Sequence, residues 1–242
     1  MIDVLTLDSC RSTNTYLSEI APTLSTDTVV VTREQTAGRG QRGNSWEAAP
    51  GLNLTCSILM FNRRAVKASR QFVLSEAVSL GIVDTVKHYL GANHQVTVKW
   101  PNDIYVGDKK ICGILIENSI SGGEIGRSII GVGINVNQRE FVSDAPNPVS
   151  IYNLVGREIP VDEVMAMMVD CIYRRVAMPF DEIHSAYKSC LWRKRRNNYI
   201  DVASGSGFSA SIADVLPDGT LCLLDDCGTE RRYLFKEVAV AP

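Results

Sequence analysis

The chain has 242 residues, 45% of them hydrophobic, enough to bury a full core as one large domain or as one large domain plus a small one. A net charge of −2 excludes a chain-wide basic field of the kind that draws a protein to DNA, RNA or an anionic membrane. The seven cysteines are scattered and form no C-x-x-C pair, so they read as reduced thiols, and neither a disulfide nor a zinc site is assigned.

The first residues, MIDVLTLDSC, lack a cationic start followed by an apolar core. No stretch approaches the roughly 18–20 apolar residues of a membrane span, so a cytoplasmic protein is expected. In DSCRSTNTYLSE, Ser12-Thr13-Asn14 precede a short amphipathic stretch. Such residues are ordinarily helix N-caps, yet the same hydroxyls and the free N–H groups of a helix start can grip an amide or a urea. The apolar run Thr28 to Thr32 reads as a strand.

The segment QTAGRGQRGNSW, Gln35 to Trp46, interleaves Gly38, Gly40 and Gly43 with Arg39 and Arg42. Glycines let backbone N–H groups approach a ligand while guanidiniums supply positive charge, which suits a phosphate-bearing anion. A solvated surface loop and an RNA contact are the competing readings. The segment matches neither a Walker loop nor a dinucleotide fingerprint.

Leu52 to Phe61 reads as the next strand, and Cys56 within it, like Cys112 further on, reads as a buried, inert thiol. Ala68 to Leu90 returns an apolar residue every three or four positions, the pattern of a core-packed helix. Strands follow at Val96 to Trp100, Ile111 to Glu117 and Ser128 to Asn135, separated by Asn-Asp, Gly-Asp and Ser-Gly-Gly turn signals. Connections this short favour hairpins and antiparallel pairing. Lys99-Trp100-Pro101-Asn102-Asp103 and Lys110 place two lysines at neighbouring strand ends, where they could meet a phosphate and a carboxylate or simply lie in solvent. GVGINVN, residues 131–137, lacks the third glycine and the following helix of a nucleotide fingerprint, so a Rossmann unit is rejected.

A second helix fits Val161 to Val176, with Pro160 before it, acidic residues in its first turn and Arg174 and Arg175 in its last. Its Met165, Met167 and Met168 read as core filler. After the basic run Arg193 to Arg196 come short alternating segments broken by glycines, which predict a small β-barrel of about five strands. His88, His94 and His184 read as structural or surface residues, and no Ser-His-Asp or Cys-His pattern is present.

In order and spacing, STN at 12–14, Gln35, GRGQRGNSW, KWPND at 99–103, Lys110, GILIE at 113–117 and GVGINVN resemble the biotin protein ligase family along nearly the whole chain. The resemblance implies an α+β fold: a mixed, mainly antiparallel sheet with packed helices, a class II synthetase-like catalytic domain over 1–192, and a small SH3-like β-barrel over 193–242. It implies ATP-dependent activation of biotin to biotinyl-5′-AMP and transfer to a lysine of a biotin carboxyl carrier domain of a carboxylase. Ser12, Thr13, Asn14 and Gln35 would then contact biotin, with Gly38, Arg39, Gly40 and Gln41 around the valeryl chain and adenylate, and Lys110 at the carboxylate. Lys99 would meet the α-phosphate, Asp103 would lie near the reacting groups, and Arg39, Arg42, Trp46, Asn102 and Asn135 would face ATP and its Mg²⁺, whose protein ligands are not assigned. Where the family carries a second arginine this chain has Gln41, which lessens the charge available to retain the adenylate.

Three rivals are weighed. A lipoate or octanoate protein ligase would show a different glycine-rich loop with a histidine nearby, and no histidine lies between Met1 and Lys87. A non-catalytic biotin-dependent regulator would need an N-terminal DNA-binding module, whereas the ligase-like segment begins at about residue 4, so none is expected. RNA binding through Arg39, Arg42 and Arg193 to Arg196 would need more interleaved aromatics than Trp192 and Tyr199. Biotin, ATP and the carrier domain are the expected partners, without nucleic acid or membrane, and a homodimer is compatible with the resemblance.

Overall fold

Every residue of the run LTCSILMF except the last is buried, as a strand covered on both faces requires. This strand, β3 (Leu54–Phe61), lies inside a seven-stranded sheet with β1 (Asp3–Cys10), β2 (Thr28–Gln35), β4 (Val96–Lys99), β5 (Asp103–Val106), β6 (Lys109–Ser121) and β7 (Glu124–Ile134). Across the sheet the order is β1-β2-β3-β7-β6-β5-β4. The chain is described here from a computed structural model that covers residues 2–62, 64–142 and 147–241, with Arg42 described in its backbone only.

All pairs in this sheet are antiparallel except the first. β1 pairs parallel with β2, from Asp3 opposite Thr28 to Cys10 opposite Gln35, and α1 (Thr13–Ile20) makes the crossover. That strand escapes the periodicity argument because it is an edge whose side chains are largely exposed, so no apolar alternation marks it. The short connections from β4 to β7 carry the antiparallel pairing expected of them, and the one parallel pair makes the sheet mixed. β6 and β7 close through Gly122 and Gly123, at φ 58° and 82°, the left-handed pair that a tight hairpin of right-handed twist needs.

Period-two alternation divides the strands between two faces. Cys56, Ile58 and Met60 of β3, Ile114 of β6 and Ile130, Val132 and Ile134 of β7 enter the main core. There they pack with α2 (Phe72–Leu90), α4 (Val161–Val176) and α5 (Phe180–Ser189). The opposite face is only partly covered. Leu59 and Ile129 meet Leu17 and Ala21 at α1, and the rest of that face is left open. Of the three methionines of α4, Met168 is fully buried and Met165 packs against the core. A short helix, α3 (Ile151–Val155), carries a reciprocal capping box between Ser150 and Asn153.

The C-terminal segment forms a separate five-stranded antiparallel sheet, ordered β11-β10-β9-β8-β12 from β8 (Asn197–Asp201), β9 (Gly207–Val215), β10 (Leu221–Asp225), β11 (Glu230–Tyr233) and β12 (Val238–Val240). Several contacts fasten it to the larger unit, Lys188 Nζ with Asp214 Oδ1 at 2.9 Å among them. Trp100 Nε1 donates to the Gly219 carbonyl at 3.0 Å, Phe72 N donates to the Pro217 carbonyl at 3.2 Å, and His184 bridges Glu76 and Asp214 at 2.8 and 3.3 Å. The seven cysteines are free thiols, and no helix among the described residues is long and apolar enough to cross a membrane.

The tightest point of the helical layer is Gly81 of α2, where an added Cβ would lie 2.7 Å from Ile172 Cα and 2.8 Å from Ile172 N on α4. Alanine gains up to about 1 kcal/mol of helix propensity. A backbone clash of this kind costs about 1–3 kcal/mol or more. Gly81→Ala is therefore expected to lower the urea midpoint at unchanged m-value, and an unaltered or raised midpoint would show that the two helices separate freely.

Candidate functional site

At its middle the open face of the large sheet carries the odd-numbered residues of β3 and β5, of β6 from Gly113 to Glu117 and of β7 from Ile129 to Gly133, and several of these have no side chain to fill it. Cross-strand register sets Lys99 opposite Asp103, Asp103 opposite Gly113, Gly113 opposite Gly133 and Gly133 opposite Thr55. The next row of that face runs Leu115, Gly131, Ser57. The glycines leave a trough that neighbouring side chains occupy. A Cβ on Gly133 would lie 2.3 Å from the Trp46 ring, and one on Gly131 would lie 2.2 Å from Asn14 Oδ1. Above this floor is a cleft of about 740 Å³.

At one end the cleft is polar, with neutral side chains and one ion pair whose charges cancel. Ser12 occupies the N-cap position of α1 in extended conformation but makes no side-chain cap hydrogen bond, so the ordinary reading of this serine fails. Thr13 instead donates through both N and Oγ1 to Gln35 Oε1, at 2.8 and 3.1 Å. Ser57 Oγ lies 2.7 Å from Thr13 Oγ1 and 2.6 Å from Asn14 Oδ1, its single proton shared between them. Asn14 Nδ2 donates to Glu117 Oε2 at 2.8 Å, and the other oxygen of Glu117 holds Arg39 Nη2 at 3.0 Å. Arg39 also reaches Thr15 Oγ1 at 3.3 Å. One chain of hydrogen bonds thus joins β2, α1, β3, β6 and the glycine-rich loop.

At the other end the cleft is cationic. Lys110 Nζ pairs with Asp103 Oδ1 at 2.7 Å, both groups being about three-quarters buried. Lys99 has no carboxylate within 4.0 Å among the described residues; its ammonium bonds to Tyr105 Oη at 3.3 Å. Burial depresses the Lys99 pKa below the ordinary lysine range, with Asp103 opposing the shift and Lys110 and Arg193 adding to it. Asn102 donates to the Ile114 carbonyl and Asn135 to the Val149 carbonyl at 3.1 Å, which fixes both buried amides in the wall. Trp46 Nε1 and Asn135 Oδ1 are buried without a partner among the described residues. Orphaned polar atoms cost about 1–3 kcal/mol each, so two of them in one cleft wall mark places where a ligand would repay the cost.

Of the residues singled out in the sequence, Ser12, Thr13, Asn14, Gln35, Arg39, Gly40, Gln41, Trp46, Lys99, Asn102, Asp103, Lys110 and Asn135 all line this one cleft. Gly38 does not; it lies beneath Trp46, where a Cβ would be 2.6 Å from the Trp46 carbonyl. The Arg42 side chain lies outside the described residues. Lys110, assigned to a ligand carboxylate, pairs with Asp103, and Asn14 bonds protein partners through both ends of its amide.

Ser57, Tyr105 and Phe235 are among the residues of the site that the sequence did not mark. Ser57, like Thr55 two residues before it, puts a hydroxyl on the open-face side of an apolar strand, a signal that alternation alone could have raised. Tyr105 is buried, and burial with the nearby carboxylates of Asp103 and Asp108 pushes its hydroxyl up to about 12. Phe235 comes from the C-terminal sheet to line the cleft, and no local pattern could have placed it there.

Residues 6–135 match the model of the biotin/lipoate A/B protein ligase family. The chain is 30% identical to a biotin–[acetyl-CoA-carboxylase] ligase of Paracoccus denitrificans over 67% of this chain and 68% of that protein. It is 32% identical to the bifunctional ligase/repressor BirA of Salmonella typhimurium over 82% of this chain, spanning 61% of that longer protein. Among solved structures, the biotin protein ligase of Aquifex aeolicus in complex with biotin and ATP superposes with a TM-score of 0.78 at 22% identity, covering 99% of this chain and 98% of the other. The Helicobacter pylori biotin acetyl coenzyme A carboxylase synthetase gives 0.62 at 23% identity, covering 96% and 100%. At these identities the superpositions speak for the fold.

Glu117 is the joint of the hydrogen-bond chain, and Glu117→Gln keeps its shape while removing its charge. A partly exposed ion pair contributes about 0.2–1 kcal/mol. Amide hydrogen exchange over residues 38–46 is therefore expected to quicken by roughly two- to fivefold in the variant. Unchanged exchange would mean that the loop is held by its own turn and not by Glu117.

Proposed function

The chain belongs to the biotin/lipoate A/B protein ligase family, and from that premise we propose that it is a biotin protein ligase. In this reading it activates biotin with ATP to biotinyl-5′-AMP and passes the acyl group to a lysine of a biotin carboxyl carrier domain. The observation that carries the reading is the polarity of the one cleft. Hydroxyl and amide groups with the Arg39–Glu117 pair stand at its α1 end, Lys99 and Lys110 at the other, and strand rich in glycine between them. A ligand with a urea at one end and a carboxylate at the other fits that order.

Ser12, Thr13 and Gln35 bind the ureido ring in this proposal, and the Arg39 side chain and Gly40 backbone face the valeryl chain and the adenylate. Lys110 exchanges the Asp103 carboxylate for that of biotin. The biotin carboxylate attacks the α-phosphorus of ATP, forming the mixed anhydride and expelling pyrophosphate. Lys99 supplies fixed positive charge where charge builds on the phosphoryl oxygens. An unprotonated carrier lysine then attacks the acyl carbonyl, the amide forms, AMP leaves, and the enzyme needs no nucleophile of its own. Cys56, though it lines the cleft, is unsuited to that role because burial pushes its thiol up to about 12.

The nucleotide enters as its magnesium complex. Among the described residues no three metal-ligating side chains cluster, and Asp103 and Glu117 are each engaged by a cation. Such a donor set suits an ion carried mainly by the phosphates and water. The division into a ligase unit over 1–192 and an appended unit over 193–242, and action in the cytoplasm, belong to the same proposal.

The family's description also covers lipoate ligases, and the choice rests on the polar end of the cleft. Donors and acceptors that a urea would satisfy are left unpaired by a dithiolane or an alkyl chain, a loss that discriminates strongly. Incubation with ATP, Mg²⁺ and each acid is expected to release pyrophosphate with biotin and not with lipoate or octanoate; equal turnover with lipoate would overturn the assignment. Lys110→Ala is expected to raise the biotin Kd by roughly ten- to a hundredfold, about 1.5–3 kcal/mol for a charge-assisted contact. An unchanged Kd in calorimetry would return Lys110 to a purely structural pair with Asp103.

A further inference from the structure

The ammonium of Lys99 bonds to the Tyr105 hydroxyl and lies near two aromatic rings, with no carboxylate within 4.0 Å among the described residues. Nζ lies 5.1 Å from the centroid of the Tyr105 ring and 5.2 Å from that of Trp192, and the two rings are 5.2 Å apart with their planes at 45°. Trp192 belongs to neither sheet. It lies in the connection between α5 and β8, which runs alongside β4: Val98 N donates to the Cys190 carbonyl at 2.9 Å and Trp192 N donates to the Val98 carbonyl at 2.8 Å.

The indole is itself held in place. Its Nε1 donates to Asp108 Oδ1 at 2.9 Å and to the Gly107 carbonyl at 3.1 Å, both in the turn between β5 and β6. The Arg193 guanidinium lies 4.3 Å from the indole centroid and pairs with Asp108 at 3.1 Å. A surface tryptophan without a task at its π-face has no need of so many restraints.

We propose that Trp192, together with Tyr105, is a positioning residue for Lys99: the paired rings hold its ammonium charged and aimed into the cleft without neutralising it. The inference rests on the reading of Lys99 as the residue that meets the nucleotide's phosphate. A carboxylate in contact with Lys99 would hold it as firmly, but would also cancel its charge and repel the phosphate, as Asp103 does in pairing with Lys110. An aromatic face offers a weaker, non-competing negative potential. Burial works against the charged form of Lys99, and so do Lys110 on β6 and Arg193 on the connection. Asp103 on β5 favours it, while Asp108 is turned to Trp192 and Arg193. The rings tip this balance towards a charged lysine, and because Trp192 lies on the connection they tie the state of Lys99 to the docking of the C-terminal sheet.

The test replaces Trp192 alone with a tryptophan fluorinated on its six-membered ring, which nearly preserves shape and hydrogen bonding while weakening the π-face. The reactivity of Lys99 towards an amine-acylating reagent is then followed against pH by mass spectrometry in the empty protein. Weakening the face lowers the pH at which Lys99 loses its proton, so its labelling rate on the rising limb is expected to increase roughly two- to fivefold, the equivalent of an exposed cation–π contact. Trp192→Leu, which keeps apolar cover without a face, is expected to shift the limb in the same direction, and Trp192→Phe to restore it in part. A Lys99 profile identical in native and fluorinated proteins would overturn the proposal, as would a shift to higher pH, which would mean that Trp192 acts only by excluding water. Biotin-dependent pyrophosphate release by the native protein is measured alongside. Its absence would overturn the ligase reading, and the labelling profile would still decide on its own whether the rings govern Lys99.

Discussion

A sheet face that bears glycine where its neighbours bear side chains cannot be covered by ordinary packing, and it cannot tolerate a methyl group either. Gly113, Gly131 and Gly133 impose that constraint at the middle of the large sheet. Glycine inside strands costs stability through lost entropy and lost packing, so three on adjacent strands form a feature that local stability does not explain. They let Trp46 and Asn14 lie directly on backbone, which brings the glycine-rich loop and the start of α1 down to the same floor. The cleft exists because α1 covers only the Leu59 and Ile129 end of that face and the glycine rows leave the rest open.

Within the cleft the charges are arranged as exchanges. Arg39 and Lys110 are each satisfied by a protein carboxylate, Glu117 and Asp103, so neither cation stands desolvated and unpaired. A ligand that brings its own carboxylate replaces one ion pair by another, a smaller cost than uncovering a bare charge. Lys99 is the exception, held by rings instead of an anion. The C-terminal sheet takes part in this arrangement: it bonds Trp100 through Gly219, sends Phe235 into the cleft, and is led in by the strand-like connection that bears Trp192. Tyr187 of α5 donates to the Pro101 carbonyl at 3.0 Å, so the turn carrying Asn102 is braced from the helical layer as well.

How much of this the sequence disclosed follows from what each signal reports. Runs buried on both faces, such as Leu54–Phe61, and an amphipathic helix, Val161–Val176, appear where periodicity places them because burial itself makes the pattern. The exposed edge strand β1 leaves no such pattern, and with it the parallel crossover was missed. The cleft residues could be named because glycine, arginine and lysine are conspicuous in short segments. Their partners could not. That Asp103 pairs with Lys110 depends on a register shift within one hairpin, and that Glu117 joins Asn14 to Arg39 and Ser57 serves Thr13 and Asn14 depends on elements distant in sequence. Trp192 comes to Lys99 on a connection paired with β4, and Phe235 reaches the cleft from the C-terminal segment; no window of local sequence contains either contact.

The central claim is that the glycine floor is the bed of the ligand site and that the start of α1 must rest on it. Gly131→Ala tests this most directly, because its methyl group would displace Asn14 from Ser57 and Glu117, whereas Gly126→Ala on the same strand meets nothing closer than 3.9 Å. Biotin titrated calorimetrically into both variants, each shown to be folded, is expected to bind the Gly126 variant like the unaltered protein and the Gly131 variant about tenfold or more weakly, as the cost of overpacking implies. Equal affinity in the two variants would contradict the account, since biotin would then be bound without the floor on which the rest of the site is built.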